Sequence, residues 1–252
     1  MRILLVDNSK PHAAFFTPKL HSILQNHGIV TVCSTREQTS DALDERYDAI
    51  VLSGSSLNVS ESLVTSAISK DLMVLSRFPD TAKLGVCFGM QLMAVAYGGS
   101  VERLAMHREG ERTITCATES PLLPFGDHAA YFSHQDAVVE APRGFCVDAV
   151  SEDIVSAFHS RSHHCYGVQF HPECSLGECA SGVLRRFLSL AIALRIPVGD
   201  VRLSQGEYTR IAMRMGFSNI NDIAKEFDVN RETVQCVWTR FRNTFDIAAI
   251  LV

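Results

Sequence analysis

Cys87 lies in the run Gly85-Val86-Cys87-Phe88-Gly89-Met90-Gln91, and 84 residues after it His171 lies in Gly167-Val168-Gln169-Phe170-His171-Pro172-Glu173. A lone cysteine in an apolar run is ordinarily an inert core residue. Here it sits between two glycines, a spacing that suits a nucleophile held on a tight strand-to-helix turn. The partial positive charge at the start of the following helix favours thiolate over thiol, and the Phe88 N–H is placed to face a developing oxyanion. His171 and Glu173 are two apart, so in an extended strand both side chains reach the same face. Glu173 then orients one imidazole nitrogen while the other faces Cys87. Nucleophile, base and orienter together make a cysteine-based amide hydrolase.

The elements around these runs must hold them. Ile3–Val6, Ile29–Cys33, Ala49–Leu52 and Leu84–Cys87 read as strands. They alternate with helical stretches at Phe15–Asn26, around Asp41–Glu45, and over Ser60–Ser69 and beyond. Leu92–Tyr97 reads as a helix stopped by Gly98-Gly99. Such alternation predicts an α/β fold with a mostly parallel sheet flanked by helices. It also puts Cys87 and the Gly54 loop at carboxyl ends of strands, where open α/β sheets build their sites. Val101–Gln169 reads instead as mostly antiparallel hairpins, with Pro121, Pro124 and Pro142 as punctuation, leading to a strand at Tyr166–Phe170. Ser181–Leu194 closes the unit as an amphipathic helix, and Arg195–Asp200 reads as a boundary.

The two chemical runs resemble the signatures of class I (triad-type) glutamine amidotransferases. Arg2–Asn8 is similar to that family's first strand, and Asp48–Ser55 to its oxyanion strand. Ser133-His134-Gln135-Asp136 is similar to the Ser-His-Gly-Asp of its GMP-synthetase-like branch. The resemblance covers about residues 1–195 and implies a flavodoxin-like amidotransferase fold. It implies that Cys87 attacks the glutamine side-chain carbonyl, that His171 moves the proton, and that Glu173 holds His171. The intermediate would be a glutamyl thioester. Backbone N–H groups of Gly54 and Phe88 would form the oxyanion hole. Gln91 and the backbone of Ser133 and His134 would hold the amino-acid end. With no synthetase domain on the chain, ammonia would pass to a separate partner. A γ-glutamyl peptide hydrolase with the same triad is the nearest enzymatic alternative. Two positions depart from the family pattern: Gly54-Ser55-Ser56 stands for Gly-Gly-Pro, and Gln135 stands for a glycine, which would cost energy if that position needs positive φ.

The composition, 46% hydrophobic and 20% charged with a net charge of −5, gives no whole-chain argument for nucleic acid or a membrane surface. No apolar run reaches the length of a transmembrane helix. The eight cysteines are scattered, and the start reads as a strand rather than a signal peptide, so reduced thiols in a cytoplasmic protein are expected. Cys165, Cys174, Cys179, His163 and His164 match no common zinc spacing. Neither metal nor cofactor is expected.

Residues 200–252 read as a small all-α domain. Ile220–Phe227, Asp228-Val229-Asn230 and Arg231–Phe241 resemble a helix-turn-helix, with Asn230 a good N-cap. One reading is DNA binding, with Arg231, Thr233, Gln235 and Arg240 facing the groove and the amidotransferase-like domain sensing glutamine. The other is a helical bundle for partner contact or self-association. From Asp200 to Val252 seven basic and seven acidic residues cancel, whereas DNA-binding domains usually carry a basic excess. A homo-oligomer is compatible with either reading.

Overall fold

Ile3, Leu4, Leu5 and Val6 are all fully buried, as are Ala49, Ile50, Val51 and Leu52. Strand side chains alternate faces, so such runs must be covered on both sides. The structure, a computed structural model, describes residues 1–9, 15–34, 45–62, 66–118, 120–195, 219–226 and 234. The chain divides into two compact units, Met1–Leu188 and Ser189–Val252.

In the first unit, strands β1 (Arg2–Asp7), β2 (Ile29–Ser34), β3 (Ala49–Leu52), β4 (Ala82–Val86), β5 (Ser100–Cys116), β6 (Gly126–Glu140), β7 (Cys146–Ser151), β8 (Ile154–Ser160) and β9 (Cys165–Val168) form one sheet. Its order is β2-β1-β3-β4-β9-β8-β7-β5-β6. The first five strands pair in parallel, in the flavodoxin-like order. From β9 to β6 every pairing is antiparallel. The sheet is therefore half parallel and half antiparallel, not mostly parallel. The hairpin region expected over Val101–Gln169 continues the same sheet, because β9 returns beside β4 and brings its neighbours with it.

Helices α1 (Phe16–Gln25), α2 (Val59–Ser62), α3 (Ser66–Arg77), α4 (Phe88–Ala96) and α5 (Glu178–Ser181) belong to this unit, and the boundary between the units falls within α6 (Val183–Arg195). Val74 and Leu75 of α3 and Met90 and Met93 of α4 pack in one cluster with Leu4, Val6, Ile50, Leu52 and Phe158. Ile3, Leu5, Ala49 and Val51, by alternation, lie on the opposite face and are equally buried. The helix expected over Ser60–Ser69 is observed as α2 and α3, and most of the helix expected around Asp41–Glu45 lies outside the described residues. Helix α4 stops as expected: Gly98 takes φ 84, and the Gly99 N–H donates to Ala94 O at 2.7 Å.

Lys83, in β4, is fully buried. Its ammonium donates to the carbonyls of Phe78 at 2.6 Å, Pro79 at 3.1 Å and Thr81 at 2.7 Å, which knits the turn between α3 and β4. In the second unit, α7 (Ile220–Glu226) is described, with Ile223 buried and Asp222, Lys225 and Glu226 exposed. Val234 is also buried. Arg231, Thr233, Gln235 and Arg240 lie outside the described residues. Among the described residues no helix is long and apolar enough to cross a membrane.

Candidate active site

Cys87 takes φ 52 and ψ −106, directly between β4 and α4. This is a region L-residues avoid, and such strain persists only where the surroundings enforce it. The surroundings here are specific. The Cys87 N–H donates to Val168 O of β9 at 2.8 Å, and its carbonyl accepts from Gln91 N at 3.1 Å. A Cβ on Gly89 would lie 2.5 Å from Leu52 O, and one on Gly85 would lie 2.5 Å from the Gly89 carbonyl carbon. The two glycines of the G-x-C-x-G run therefore let the first turn of α4 lie against β3 and β4.

Gly54 follows β3, Cys87 follows β4 and His171 follows β9, three neighbouring strands ending at one edge. A Cβ on Gly54 would lie 2.9 Å from His171 Cε1 and 3.6 Å from Cys87 Cβ, so the backbone there closes directly over both residues. Phe88 opens α4. Gly54, Cys87, Gln91, Ser133, His134 and His171 all line one cavity of about 240 Å³.

His171 Nδ1 lies 2.8 Å from Glu173 Oε1, with both side chains almost wholly buried. They do not share a strand face, as the sequence suggested. β9 ends at Val168, and His171 begins a turn in which its carbonyl accepts from Cys174 N at 3.1 Å and Ser175 N at 3.0 Å. Pro172, which lacks an N–H, stands inside this turn and folds Glu173 back onto the ring. Among the described residues His171 Nε2 has no hydrogen-bond partner. Burial pulls the imidazole pKa down, but the Glu173 carboxylate and a charge on the Cys87 sulfur outweigh it and lift the pKa to about 10. The folded value lies above the unfolded one. The attraction thus stabilises the fold fully below about pH 6.5 and is lost as pH rises through the folded pKa. Imidazole 15N NMR is expected to show His171 still protonated at pH 8, with its pKa falling in Cys87→Ala.

Cys87 Sγ also lies 3.7 Å from Ser133 O. Gln169, fully buried, donates its amide N–H to Cys87 Sγ at 3.6 Å. Sequence reasoning passed over Gln169, although its place two residues before His171 was the available signal. Phe16 was also passed over; nothing in its spacing shows that its ring stacks on His171 at 3.9 Å and 22°. Gln91 donates to Asp136 O at 2.6 Å and to Gln169 Oε1 at 3.2 Å, so its amide nitrogen ties α4 to β6 and to the segment just after β9. His134 Nδ1 lies 2.8 Å from Asp136 O, and burial pushes its pKa down to about 4, leaving a neutral ring at pH 7. Among the described non-glycine residues only Cys87, Glu152 and His164 take positive φ, so Gln135 and Ser55 sit in β6 and the Gly54 loop without backbone strain. Cys87, Cys116, Cys146, Cys165, Cys174 and Cys179 carry free thiols. Among the described residues no three His, Cys, Asp or Glu side chains come together to hold a metal.

The family model described as glutamine amidotransferase class-I matches residues 7–190. A glutamine-hydrolyzing GMP synthase from Thermobifida fusca is 39% identical over 137 residues, covering 53% of this chain and 26% of that protein. One from Bacillus cereus is 40% identical over 109 residues, covering 41% and 21%. The match thus spans about a quarter of the length of these relatives. Among solved structures, a candidate GMP synthase subunit from Thermoplasma acidophilum superposes with TM-score 0.65 at 24% identity, over 77% of this chain and 96% of that one. A glutamine amidotransferase from Thermotoga maritima does so with TM-score 0.58 at 16% identity, over 96% and 97%. These two likenesses agree with the α/β sheet flanked by helices. By the extent of the family match, the chain belongs to the class I glutamine amidotransferases, and its amidotransferase domain is that of an enzyme.

Proposed function

We propose that this chain hydrolyses the side-chain amide of glutamine through Cys87, His171 and Glu173 and passes the ammonia to a separate synthetase partner. One observation carries the reading: sulfur, imidazole and the Gly54 backbone converge at the ends of three adjacent strands around one small cavity, with the Glu173 carboxylate bonded to the imidazole. His171 Nε2 already holds the proton shared with Cys87, and Cys87 Sγ attacks the amide carbon as the thiolate. The oxyanion is met by the N–H groups of Gly54 and Phe88. His171 then protonates the leaving ammonia, and water cleaves the glutamyl thioester by the reverse path. Glu173 holds the imidazole and stabilises its charged form, and Gln169 adds an N–H to the sulfur.

The backbone of Ser133 and His134 grips the amino-acid end. Gln91 contributes its carbonyl oxygen, or acts through the Asp136 backbone, since its amide nitrogen is engaged. The cavity falls below the range typical of drug-sized ligand sites. That favours free glutamine over a γ-glutamyl peptide. The GMP synthase relatives favour an aminating synthetase as the ammonia acceptor. Such a glutaminase would work in the cytoplasm without a cofactor. For the C-terminal helix-turn-helix reading, the described part of α7 supplies two acids and one base to solvent, not a basic face. Retention on duplex DNA falling steeply with salt is the result that would favour the groove-binding reading of Arg231, Thr233, Gln235 and Arg240.

The test is ammonia and glutamate release from glutamine, beside amino-acid release from a γ-glutamyl peptide. Glu173→Gln is expected to lower kcat by roughly 10³–10⁴, because the amide favours the wrong imidazole tautomer and cannot offset the imidazolium charge. Release from the peptide but not from glutamine would overturn the assignment.

A further inference from the structure

Asp71 is fully buried in α3, and its Oδ2 has no hydrogen-bond partner among the described residues. Its Oδ1 accepts from Asn8 Nδ2 at 3.2 Å. Burial pushes this carboxyl up to about 7, so its site is costly for a charge. Nothing in the proposed chemistry uses Asp71 directly. Its partner, however, touches the residue that precedes Gly54.

Asn8, just past the end of β1, grips Ser53 twice. The Asn8 N–H donates to Ser53 Oγ at 2.9 Å, and Asn8 Nδ2 donates to Ser53 O at 3.3 Å. Ser53 Oγ donates onward to Gly54 O at 3.0 Å. The Ser53 N–H is fixed as well, donating to Val6 O at 3.0 Å. In a planar trans peptide the C=O of one residue and the N–H of the next point opposite ways. Holding Ser53 O therefore sets the direction of the Gly54 N–H. The two protons of the Asn8 amide go to Ser53 O and to Asp71. Asp71 Oδ1 accepts in either protonation state, so together with Ser53 O, also an acceptor, it holds the Asn8 amide nitrogen between them.

We propose that Asp71 and Asn8 are positioning residues that aim the Gly54 N–H at the substrate oxyanion through the Asp71–Asn8–Ser53 hydrogen-bond chain. This rests on the glutaminase reading above. Neither side chain touches substrate. The effect belongs to the transition state: kcat depends on the chain, whereas KM for glutamine does not.

The experiment compares wild type with Asp71→Ala, Asn8→Ala and Asp71→Asn in three measurements. The first is kcat and KM for glutamine. The second is inhibition by glutamate γ-semialdehyde, to whose carbonyl Cys87 adds to give a thiohemiacetal oxygen in the hole. The third is alkylation of Cys87 by iodoacetamide, which forms a thioether by displacement of iodide and needs no hole. Removing an oxyanion donor outright costs roughly 10²–10³ in kcat. Misdirecting one is expected to cost about tenfold or more in both alanine variants, with a matching loss of aldehyde affinity, unchanged KM and unchanged alkylation. Asp71→Asn keeps an acceptor and is expected to stay within about threefold of wild type on the same scale. Alanine variants within twofold of wild type in kcat and aldehyde affinity would overturn the proposal. So would alkylation slowing in step with kcat, which marks general damage. A wild-type chain that neither turns over glutamine nor binds the aldehyde would sink the glutaminase reading itself, and this inference with it.

Discussion

Replacing Cys87 with alanine is expected to remove glutamine hydrolysis, a loss of roughly 10⁴-fold or more, and to leave the fold in place. In the proposed roles nucleophile and base act as a unit, so His171→Ala should be nearly as severe and the double variant little worse. Stability should follow a different order. Cys87 occupies φ 52 and ψ −106, a conformation costing on the order of 1–3 kcal/mol for a side-chain-bearing residue. Alanine keeps that cost; glycine does not. Cys87→Gly gains flexibility in the unfolded chain, which offsets about 0.4–1 kcal/mol. It should still be more stable than Cys87→Ala by about 1 kcal/mol. Urea denaturation of the two inactive variants, side by side with ammonia release, tests both halves. Equal stability would mean that the elbow is relaxed in solution.

The second large effect is expected at Gly89. A methyl group there would meet Leu52 O at 2.5 Å and Leu52 Cβ at 2.7 Å, both rigid parts of β3. Nothing nearby is a flexible chain end, so α4 must lift from the sheet. Overpacking of this kind costs about 1–3 kcal/mol, occasionally more, and the upper end is expected for Gly89→Ala. Gly85→Ala strikes the Gly89 backbone from the other side, at 2.5 and 2.6 Å. Because both substitutions push apart the same pair of layers, their costs should fall short of adding. Urea midpoints for the two single variants and the double decide it; near-wild-type stability in Gly89→Ala would refute the close-contact account.

The parallel half of the sheet was readable because Ile3–Val6, Ala49–Leu52 and Leu84–Val86 are short apolar runs between helical stretches, and burial on both faces requires such runs. The elbow was readable because a strained turn and a close helix–strand contact both demand glycine beside the nucleophile. The His171–Glu173 contact was foreseen for the wrong geometric reason. A spacing of two fits a strand face, but it also fits a turn, and only the hydrogen bonds from Cys174 and Ser175 to His171 O separate them. Phe16 and the Asn8–Asp71 pair were invisible for another reason. Each meets the site through a contact between segments far apart in the chain, and such contacts leave no local period or motif.

The strand that holds Cys87 in its unfavourable conformation is β9, through Val168 O. β9 is also the strand that delivers His171, and it lies in the middle of the sheet although it is the last of the described strands to be made. On a ribosome, the thiol therefore emerges long before either its base or the carbonyl that fixes its turn. A partly made chain would carry an ordinary cysteine, with neither an aimed sulfur nor a proton acceptor. Insertion of β9 between β4 and β8 is a non-local event, of the kind that forms late in folding. On the proposed chemistry, catalytic competence would then arrive in one step at the end of assembly, and an incomplete domain would have no means of spending glutamine.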